Sequence, residues 1–251
     1  MATVSAPSAA GRPPGGGAGG GWRRLIDLSA PAFAWEFLRR NPGYQDDWRR
    51  ERGFVASAID PRWGLRFAAD PALPADEAEV FWRGDVAPGI VLPMAVTEGA
   101  SPRSRPRRWP SGVFRRADDG LHVRLSEHLQ LILPKEARGD EPLSVLLAYD
   151  ADLGLRVRAV DALERFSRGR PPPGSRLSAA QRARLARSVV ALDGALRGQS
   201  YRAIADDLFG TERLDAEAWR TASLRGVTIR LVRAGKALMN GGYLDLLRRG
   251  L

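Results

Sequence analysis

The sequence predicts an α+β protein that is mostly helical, with a small antiparallel sheet or hairpin in the middle and a helix-turn-helix bundle near the C-terminal end. Three observations predict this class. Apolar residues recur at helical spacing after residues 30 and 178, two runs between residues 122 and 149 have the pattern of strands, and two helices near residue 200 meet at a short break. A chain of 251 residues with 44% apolar content can bury such a core.

The N-terminal part is predicted to be a leader followed by an aromatic-rich domain. Residues 1–21 are Gly, Pro, Ala and Ser with almost nothing to bury, which predicts a disordered leader. Residues 22–100 form the predicted domain, whose first helix begins near Ala30 and stops at Asn41. A second helix is expected from Tyr44, and an irregular packed stretch carries several aromatic residues after it.

A basic, proline-rich segment marks the predicted domain boundary. Residues 101–116 contain six arginines and three prolines and no acidic residue, which is typical of a linker. Residues 117–251 are predicted to hold a strand hairpin and then a C-terminal helix-turn-helix domain. The strands are expected in the runs HVRLSEHLQLILP and PLSVLLAY, with two or three antiparallel strands as the best fit.

The sequence SYRAIADDLFG predicts a short helix of the kind found in helix-turn-helix units. Ser178 is a suitable N-cap for the preceding helix, and Ser200 is a suitable N-cap for this one. Ala205 is small enough for a tight helix crossing, and Gly210 is placed to end the helix. An ordinary pair of core helices would have the same features, so this pattern is weak by itself.

A longer helix over residues 223–239 strengthens the hypothesis of DNA binding. At 100° per residue, one arc is apolar and the opposite arc carries cations and no carboxylate. The alternative is a solvated basic face in an arginine-biased protein. Gly226 lies on the cationic arc, although glycine destabilises a helix. A close approach of another backbone would explain a glycine at this position. The apolar arc is Leu224, Val227, Leu231, Ala234 and Leu238, and the cations are Arg225, Arg230, Arg233 and Lys236.

Nine residues are predicted to contact DNA. Side chains near the start of a reading helix reach base edges, whereas those further along and capping hydroxyls more often hold phosphates. The spacing leaves both residues 215–221 and 223–239 as candidates for the segment deeper in the groove. Arg220, Thr221, Ser223 and Arg225 are assigned to the groove, and Ser200, Arg202, Arg230, Arg233 and Lys236 to backbone or flanking contacts.

The charge of the chain favours double-stranded DNA as the partner. There are 39 basic and 29 acidic residues, giving a net charge of +10, and all but two of the basic residues are arginine. Arginine-rich codon usage explains part of this bias. An anionic membrane and RNA are weaker alternatives, and no segment has the apolar length of a membrane span. The absence of cysteine and of a secretory signal predicts a cytoplasmic protein.

No enzymatic activity, cofactor or metal is predicted. His122 and His128 are the two histidines, and their spacing does not suit a helical metal pair. Neither a nucleophile elbow nor a phosphate-binding loop is present in the sequence. The paired aspartates are expected to neutralise arginines or to solvate turns, so no catalytic residue is assigned.

Several motifs together resemble a known family. They are WEFLRRNPGYQDDWRR, WGLRFAADPALPADEAEVFWR, SYRAIADDLFG with a following Trp219, and NGGYLDLL. They resemble the proteobacterial two-part regulators that join an N-terminal transcriptional-regulator-like domain to a C-terminal helix-turn-helix domain formerly of unknown function. The resemblance covers roughly residues 30 to 250 and implies a transcriptional role. Similar proteins include activators of excision and transfer genes of integrative and conjugative elements, and shorter antagonists that bind such activators.

The sequence is therefore consistent with two functions. The first is a sequence-specific regulator that binds duplex DNA, and the resemblance implies an activator of mobile-element excision or transfer genes because the chain carries both parts. The alternative is a protein-interaction module, a co-regulator or antagonist that binds another regulator without reading DNA. RNA polymerase or a sister regulator is a candidate protein partner, and no oligomeric state is predicted.

Overall fold

A computed structural model describes residues 20–51, 59–97, 111–135, 137, 141–210 and 223–249. It confirms the α+β class, with about half of the chain helical. The helices are α1 (Ala30–Leu38), α2 (Pro42–Glu51), α3 (Leu153–Ser167), α4 (Ala179–Leu196), α5 (Tyr201–Phe209), α6 (Ser223–Ala237) and α7 (Tyr243–Arg249). The strands are β1 (Val91–Val96), β2 (Val113–Ala117), β3 (Gly120–Ser126), β4 (Leu129–Leu133) and β5 (Leu143–Val145). Short 3₁₀ turns cover Gly21–Leu25 and Pro61–Trp63, and a π-helical segment covers Leu238–Gly242.

Helix α1 is the centre of the largest core. All nine of its residues are buried, and it begins at Ala30 as predicted because the Ser29 hydroxyl accepts a hydrogen bond from the Ala32 amide at 3.2 Å. Its one buried acid, Glu36, receives hydrogen bonds from Arg39 and Arg40 at 2.8 and 2.5 Å. Burial acts to raise the pKa of Glu36, but the two arginines outweigh it and the pKa lies below its usual value.

Helix α2 begins two residues earlier than predicted. The Asn41 side chain accepts hydrogen bonds from the amides of Gly43 and Tyr44 at 2.9 and 3.3 Å, so Asn41 caps α2 as well as ending α1. Pro42 occupies the first helical position, where its missing amide proton is not needed. The rest of the predicted second helix falls on residues 52–58, which lie outside the described residues.

The segment between α2 and β1 is irregular but well packed, as its aromatic residues predict. Phe67, Phe81 and Trp82 are at most 3% exposed. Buried backbone polar groups in such a segment need hydrogen-bond partners, and the Tyr44 hydroxyl is the partner of two such groups. It donates to the Ala69 carbonyl at 2.5 Å and accepts from the Ala69 amide at 3.0 Å.

The sheet is larger than predicted and is mixed. It has five strands in the order β2-β3-β4-β1-β5, with β1 parallel to β4 and antiparallel to β5. The predicted strands correspond to β3, β4 and β5. Strand β1 carries no clear strand signal in the sequence because Pro93 interrupts it, and proline is unusual inside a sheet. The pairing of β1 with β4 is also nonlocal, and no local pattern predicts it.

Helix α3 covers one face of the sheet. Its buried positions are Ala159 and Ala162, which pack with Leu92, Val123 and Leu131 of the strands. The opposite face meets the irregular segment, where the buried Gln130 side chain accepts from the Trp82 amide at 3.0 Å and donates to the Val80 carbonyl at 2.9 Å. The sheet is therefore enclosed by residues from both sides of the predicted boundary.

The two predicted domains share a core. Tyr243 and Leu247 of α7 are buried in the cluster that contains α1, and the Asn41 amide group donates to the Met239 carbonyl at 3.0 Å. Strand β1 lies in the predicted segment 22–100, whereas its partners β4 and β5 lie in segment 117–251. The leader up to residue 19 and linker residues 101–110 lie outside the described residues, and the division into domains stays a prediction.

Candidate nucleic-acid interface

Helices α4 and α5 are joined by a short, well-capped turn. Ser178 and Gln181 form a reciprocal capping box at the start of α4. The Ser200 hydroxyl accepts from the Ala203 amide at 3.2 Å and so caps α5. Gly210 ends α5 with a left-handed backbone, φ 69° and ψ 45°, and its amide bonds the Asp206 carbonyl at 2.9 Å. These local features agree with the sequence-based predictions.

Helices α4, α5 and α6 pack around a small apolar core. Its buried members are Ala191, Ile204, Leu208, Leu231 and Val232. Ala205 is fully buried, which agrees with its expected place at a helix crossing. The core fixes α6 against α4 and α5, and it therefore determines which face of α6 remains exposed.

Glycines allow the closest approaches in this bundle. A Cβ atom on Gly235 of α6 would lie 2.7 Å from the Ser188 carbonyl oxygen and 3.0 Å from the Leu192 Cβ of α4. A Cβ atom on Gly194 of α4 would lie 2.7 Å from the Ile204 Cγ1 of α5. At both glycines an alanine would require a shift of the neighbouring atoms.

The buried face of α6 differs from the predicted apolar arc. Thr228, Leu231, Val232 and Gly235 are buried, whereas Ala234 on the predicted arc is only half-buried. The close crossing at Gly235 turns this part of the helix toward α4. Thr228 is tolerated there because its hydroxyl donates to the Leu224 carbonyl at 2.8 Å within the same helix.

The opposite side of α6 presents what we call the cationic face, composed of Arg225, Arg230, Arg233 and Lys236. All four side chains are exposed. Within the part of the chain that the structure describes, none of the four forms an ion pair with a carboxylate. An exposed row of cations attracts a polyanion.

The other predicted contact residues have different surroundings. Ser223 is the exposed first residue of α6, and Ser200 is exposed while its hydroxyl caps α5. Arg202 is half-buried and engaged in an interaction within the protein. Arg220 and Thr221, together with Trp219, fall in residues 211–222, outside the described residues.

The turn Gly21–Leu25 adds residues that the sequence analysis did not assign to this region. Trp22 packs against the core of α4, α5 and α6, and the Arg187 guanidinium of α4 lies 4.2 Å from the centre of its ring. Arg23 and Arg24 follow and are exposed. The sequence signal was a tryptophan directly after a glycine-rich run.

Helix α6 ends at Ala237, two residues before the predicted end at residue 239. Its last turn widens into the π-helical segment, in which Gly241 has a φ of +118° that favours glycine. Helix α7 then turns back, so that Tyr243 and Leu247 are buried and the Tyr243 hydroxyl donates to the Trp63 carbonyl at 3.0 Å. The Gly-Gly-Tyr motif therefore has a structural role at this place.

Many of the acidic residues that the structure describes bind arginines. Asp47 accepts hydrogen bonds from Arg62 at 2.6 Å and from the Trp63 indole at 2.8 Å. Asp119 pairs with Arg66 and with His122, whose side chain is buried. The described ranges hold no cluster of three or more potential metal ligands. They also contain no helix that is both long enough and apolar enough to span a bilayer.

Two protein-family models match separate segments of the chain. Residues 21–68 match the model of the proteobacterial transcriptional regulator-like domain. Residues 146–248, which include α3 to α6, match a RovC-type domain described as "T6SS, Transcription factor, DNA binding domain". No curated protein matches the chain.

The matched transcription-factor domain supports a DNA-binding regulator. The two matched domains together are those of a two-part regulator, with a proteobacterial transcriptional regulator-like domain followed by a RovC-type DNA-binding domain.

Proposed function

We propose that this protein is a transcriptional regulator that binds duplex DNA in a sequence-specific manner through the cationic face of α6. The observation that carries the proposal is that Arg225, Arg230, Arg233 and Lys236 are exposed on one side of a helix whose other side is fixed in a core. This face lies within the matched DNA-binding domain. Phosphate neutralisation by such residues supplies most of the affinity of a protein for DNA.

The proposed contacts differ in what they recognise. Ser223 and Arg225 at the start of α6, with Arg220 and Thr221 before it, are assigned to base edges in the groove. The residues further from the start of α6 are assigned to phosphates. Such contacts position the protein on DNA and depend little on the base sequence. The phosphate-contacting residues are Ser200, Arg202, Arg230, Arg233 and Lys236.

A salt series on the full-length protein tests DNA binding. If the cationic face neutralises phosphates, the logarithm of the affinity falls linearly with the logarithm of the salt concentration, by about 0.9 per phosphate contact. Replacing all four cations by glutamine should remove most of this slope. A flat salt dependence in the unmodified protein would contradict the proposal. The full chain is needed, because α1 shares its core with α7 and a truncated C-terminal part would expose that core.

The regulatory role that we propose is activation of excision or transfer genes of a mobile element. Its support is the resemblance of the two-part chain to regulators with that role, together with the two domain matches. Sequencing of genomic DNA fragments retained by the purified protein would identify the bound sites. A reporter gene downstream of such a site should be expressed more strongly when the protein is present. Lower expression would indicate a repressor.

A second candidate function is a protein-interaction module that acts on RNA polymerase or on a sister regulator. One observation favours it: Leu146, Leu147 and Tyr149, which follow the edge strand β5, are 50%, 39% and 95% exposed. Large exposed apolar groups in a row are typical of contact surfaces. Replacing the four cations by glutamine distinguishes the two functions, since regulation that survives this change does not depend on the cationic face.

A further inference from the structure

We infer that Gly226 is the point at which the backbone of α6 comes into direct contact with the sugar-phosphate backbone of DNA. This inference rests on the function proposed above and adds a positioning residue to it. Gly226 is the fourth residue of α6 and lies directly after Arg225 of the cationic face. Glycine has no side chain, so another backbone can approach the helix more closely there than at any residue with a Cβ atom.

Nothing in the described part of the chain requires a glycine at this position. Gly226 is absent from the glycines with positive φ, so its backbone conformation is open to any residue. A Cβ atom built on it would meet, among the described residues, only the Arg230 Nη1 atom at 3.4 Å, the mobile end of a long side chain. Glycine nevertheless disfavours a helix relative to alanine. Within the described residues, Gly226 thus weakens α6 without a need in the packing of the protein.

The other glycine of α6 provides the contrast. At Gly235 a Cβ atom would lie 2.7 Å from the Ser188 carbonyl oxygen, so the packing of α6 on α4 explains that glycine. Gly226 is half-buried and lies nine residues before Gly235, on the opposite side of the helix. One glycine of the helix therefore serves contact with the protein, and the other is available for contact with a ligand.

The neighbours of Gly226 indicate what that ligand is. On a helix, residues 226, 230, 233 and 237 follow one another along a single row at spacings of four, three and four. The row reads Gly226, Arg230, Arg233 and Ala237, so two small residues flank two exposed guanidinium groups. A guanidinium group binds phosphate through its fork of N–H donors. Small residues at both ends of the pair allow the phosphate backbone to lie close to the helix.

The test is a pair of substitutions that increase the size of the side chain, Gly226→Ala and Gly226→Gln. Both residues are better helix formers than glycine, so the melting temperature of the free protein should rise, by roughly 2–4 °C for a domain of this size. Affinity for a duplex of roughly 30 base pairs, about three turns of DNA, should fall at the same time. Gly226→Gln should weaken binding by about tenfold, or about 1.4 kcal/mol, and Gly226→Ala by less.

Three control variants separate this effect from general ones. Gly154→Ala in α3 adds a Cβ atom into open space and should leave the affinity for DNA unchanged. Gly235→Ala should lower the melting temperature because of its contact with Ser188. Arg233→Ala reports on the proposed function itself, since it should weaken DNA binding without changing the size of the side chain at residue 226.

The inference predicts that the substitutions at Gly226 raise the melting temperature and lower the affinity for DNA. If Gly226→Gln binds DNA as tightly as the unmodified protein while Arg233→Ala binds more weakly, the inference is wrong and the proposed function stands. If Gly226→Ala lowers the melting temperature, the fold itself requires this glycine and the inference is also wrong. If no substitution on the cationic face changes binding, the proposed function fails first.

Discussion

Arg40 in α1 binds Asp193 in α4 through two parallel hydrogen bonds, Nε to Oδ1 at 2.6 Å and Nη2 to Oδ2 at 2.9 Å. The same guanidinium group donates to the Glu36 side chain at 2.5 Å. Burial would lower the pKa of Arg40, but the hydrogen bonds and charges of Asp193 and Glu36 outweigh it and raise the pKa. This paired arrangement joins the N-terminal helices to the helix that supports the cationic face.

Arg40→Ala should reduce the free energy of unfolding by about 3 kcal/mol, because it leaves Asp193 without its arginine and removes one of the two arginines that bind the buried Glu36. Chemical denaturation of the full chain measures the effect. A double-mutant cycle with Asp193→Ala is the control: the two single effects should not add, since both changes break the same pair. Additive effects would show that the pair contributes little.

Loss of an arginine from the cationic face should affect either sequence preference or overall affinity, depending on the position. Arg225→Ala should reduce the preference for the bound sequence over other sequences by about 1–3 kcal/mol, because a base contact is lost. Arg233→Ala should weaken binding to all sequences about equally and should reduce the salt slope by about 0.9. Competition assays with bound and mutated sites measure both quantities. An equal loss of preference in both variants would contradict the assignment of their roles.

Tyr44→Phe should destabilise the N-terminal part by about 1–3 kcal/mol, although it removes a single oxygen atom. The Tyr44 hydroxyl pairs with both the amide and the carbonyl of Ala69, and both groups would stay buried without a partner. Thermal unfolding measures the loss. Tyr201→Phe is the matched control, because Tyr201 is 43% exposed and its hydroxyl should contribute little. Equal effects of the two changes would contradict the role given to Tyr44.

The stability of the protein should also depend on acid through Asp119. Burial acts to raise the pKa of Asp119, but hydrogen bonds from Arg66 and His122 outweigh it and lower the pKa to about 2. A carboxyl group with a lowered pKa stabilises the fold fully above its unfolded pKa of about 4, and this stabilisation is lost as the pH falls toward 2.

Asp119→Asn should therefore flatten the loss of stability between about pH 4 and pH 2, relative to the unmodified protein. Unfolding by urea at several pH values measures it. Arg66→Ala should instead move the loss to higher pH, because the pKa of Asp119 then rises. An unchanged pH profile in both variants would rule out a contribution from this group.

Features that depend on neighbouring residues were predicted well from the sequence. The starts of α1, α4 and α5 follow from the serine caps at Ser29, Ser178 and Ser200. The cations of α6 follow from helical spacing, and the structure places all four on the exposed side. A capping hydrogen bond joins groups three residues apart, so the sequence alone contains the information needed.

Features that depend on distant residues were not predicted. The parallel pairing of β1 with β4 joins strands that are separated by β2 and β3 in the chain, and Pro93 hides the strand itself. The orientation of α6 depends on the contact of Gly235 with Ser188 in another helix, which changes which residues are buried. Helical periodicity defines an apolar side only approximately, and the choice between neighbouring positions is made by the partner helix.

The hydrogen bond between Asn41 and Met239 spans 198 positions of the chain, and that between Tyr243 and Trp63 spans 180. Helix α1 leaves the ribosome long before these partners are synthesised. Its apolar surface therefore stays exposed during most of translation, which is the period in which chaperones act on nascent chains. Contacts of such long range also slow the final assembly. A polypeptide whose synthesis stops before α7 is made would have a first helix without a completed core.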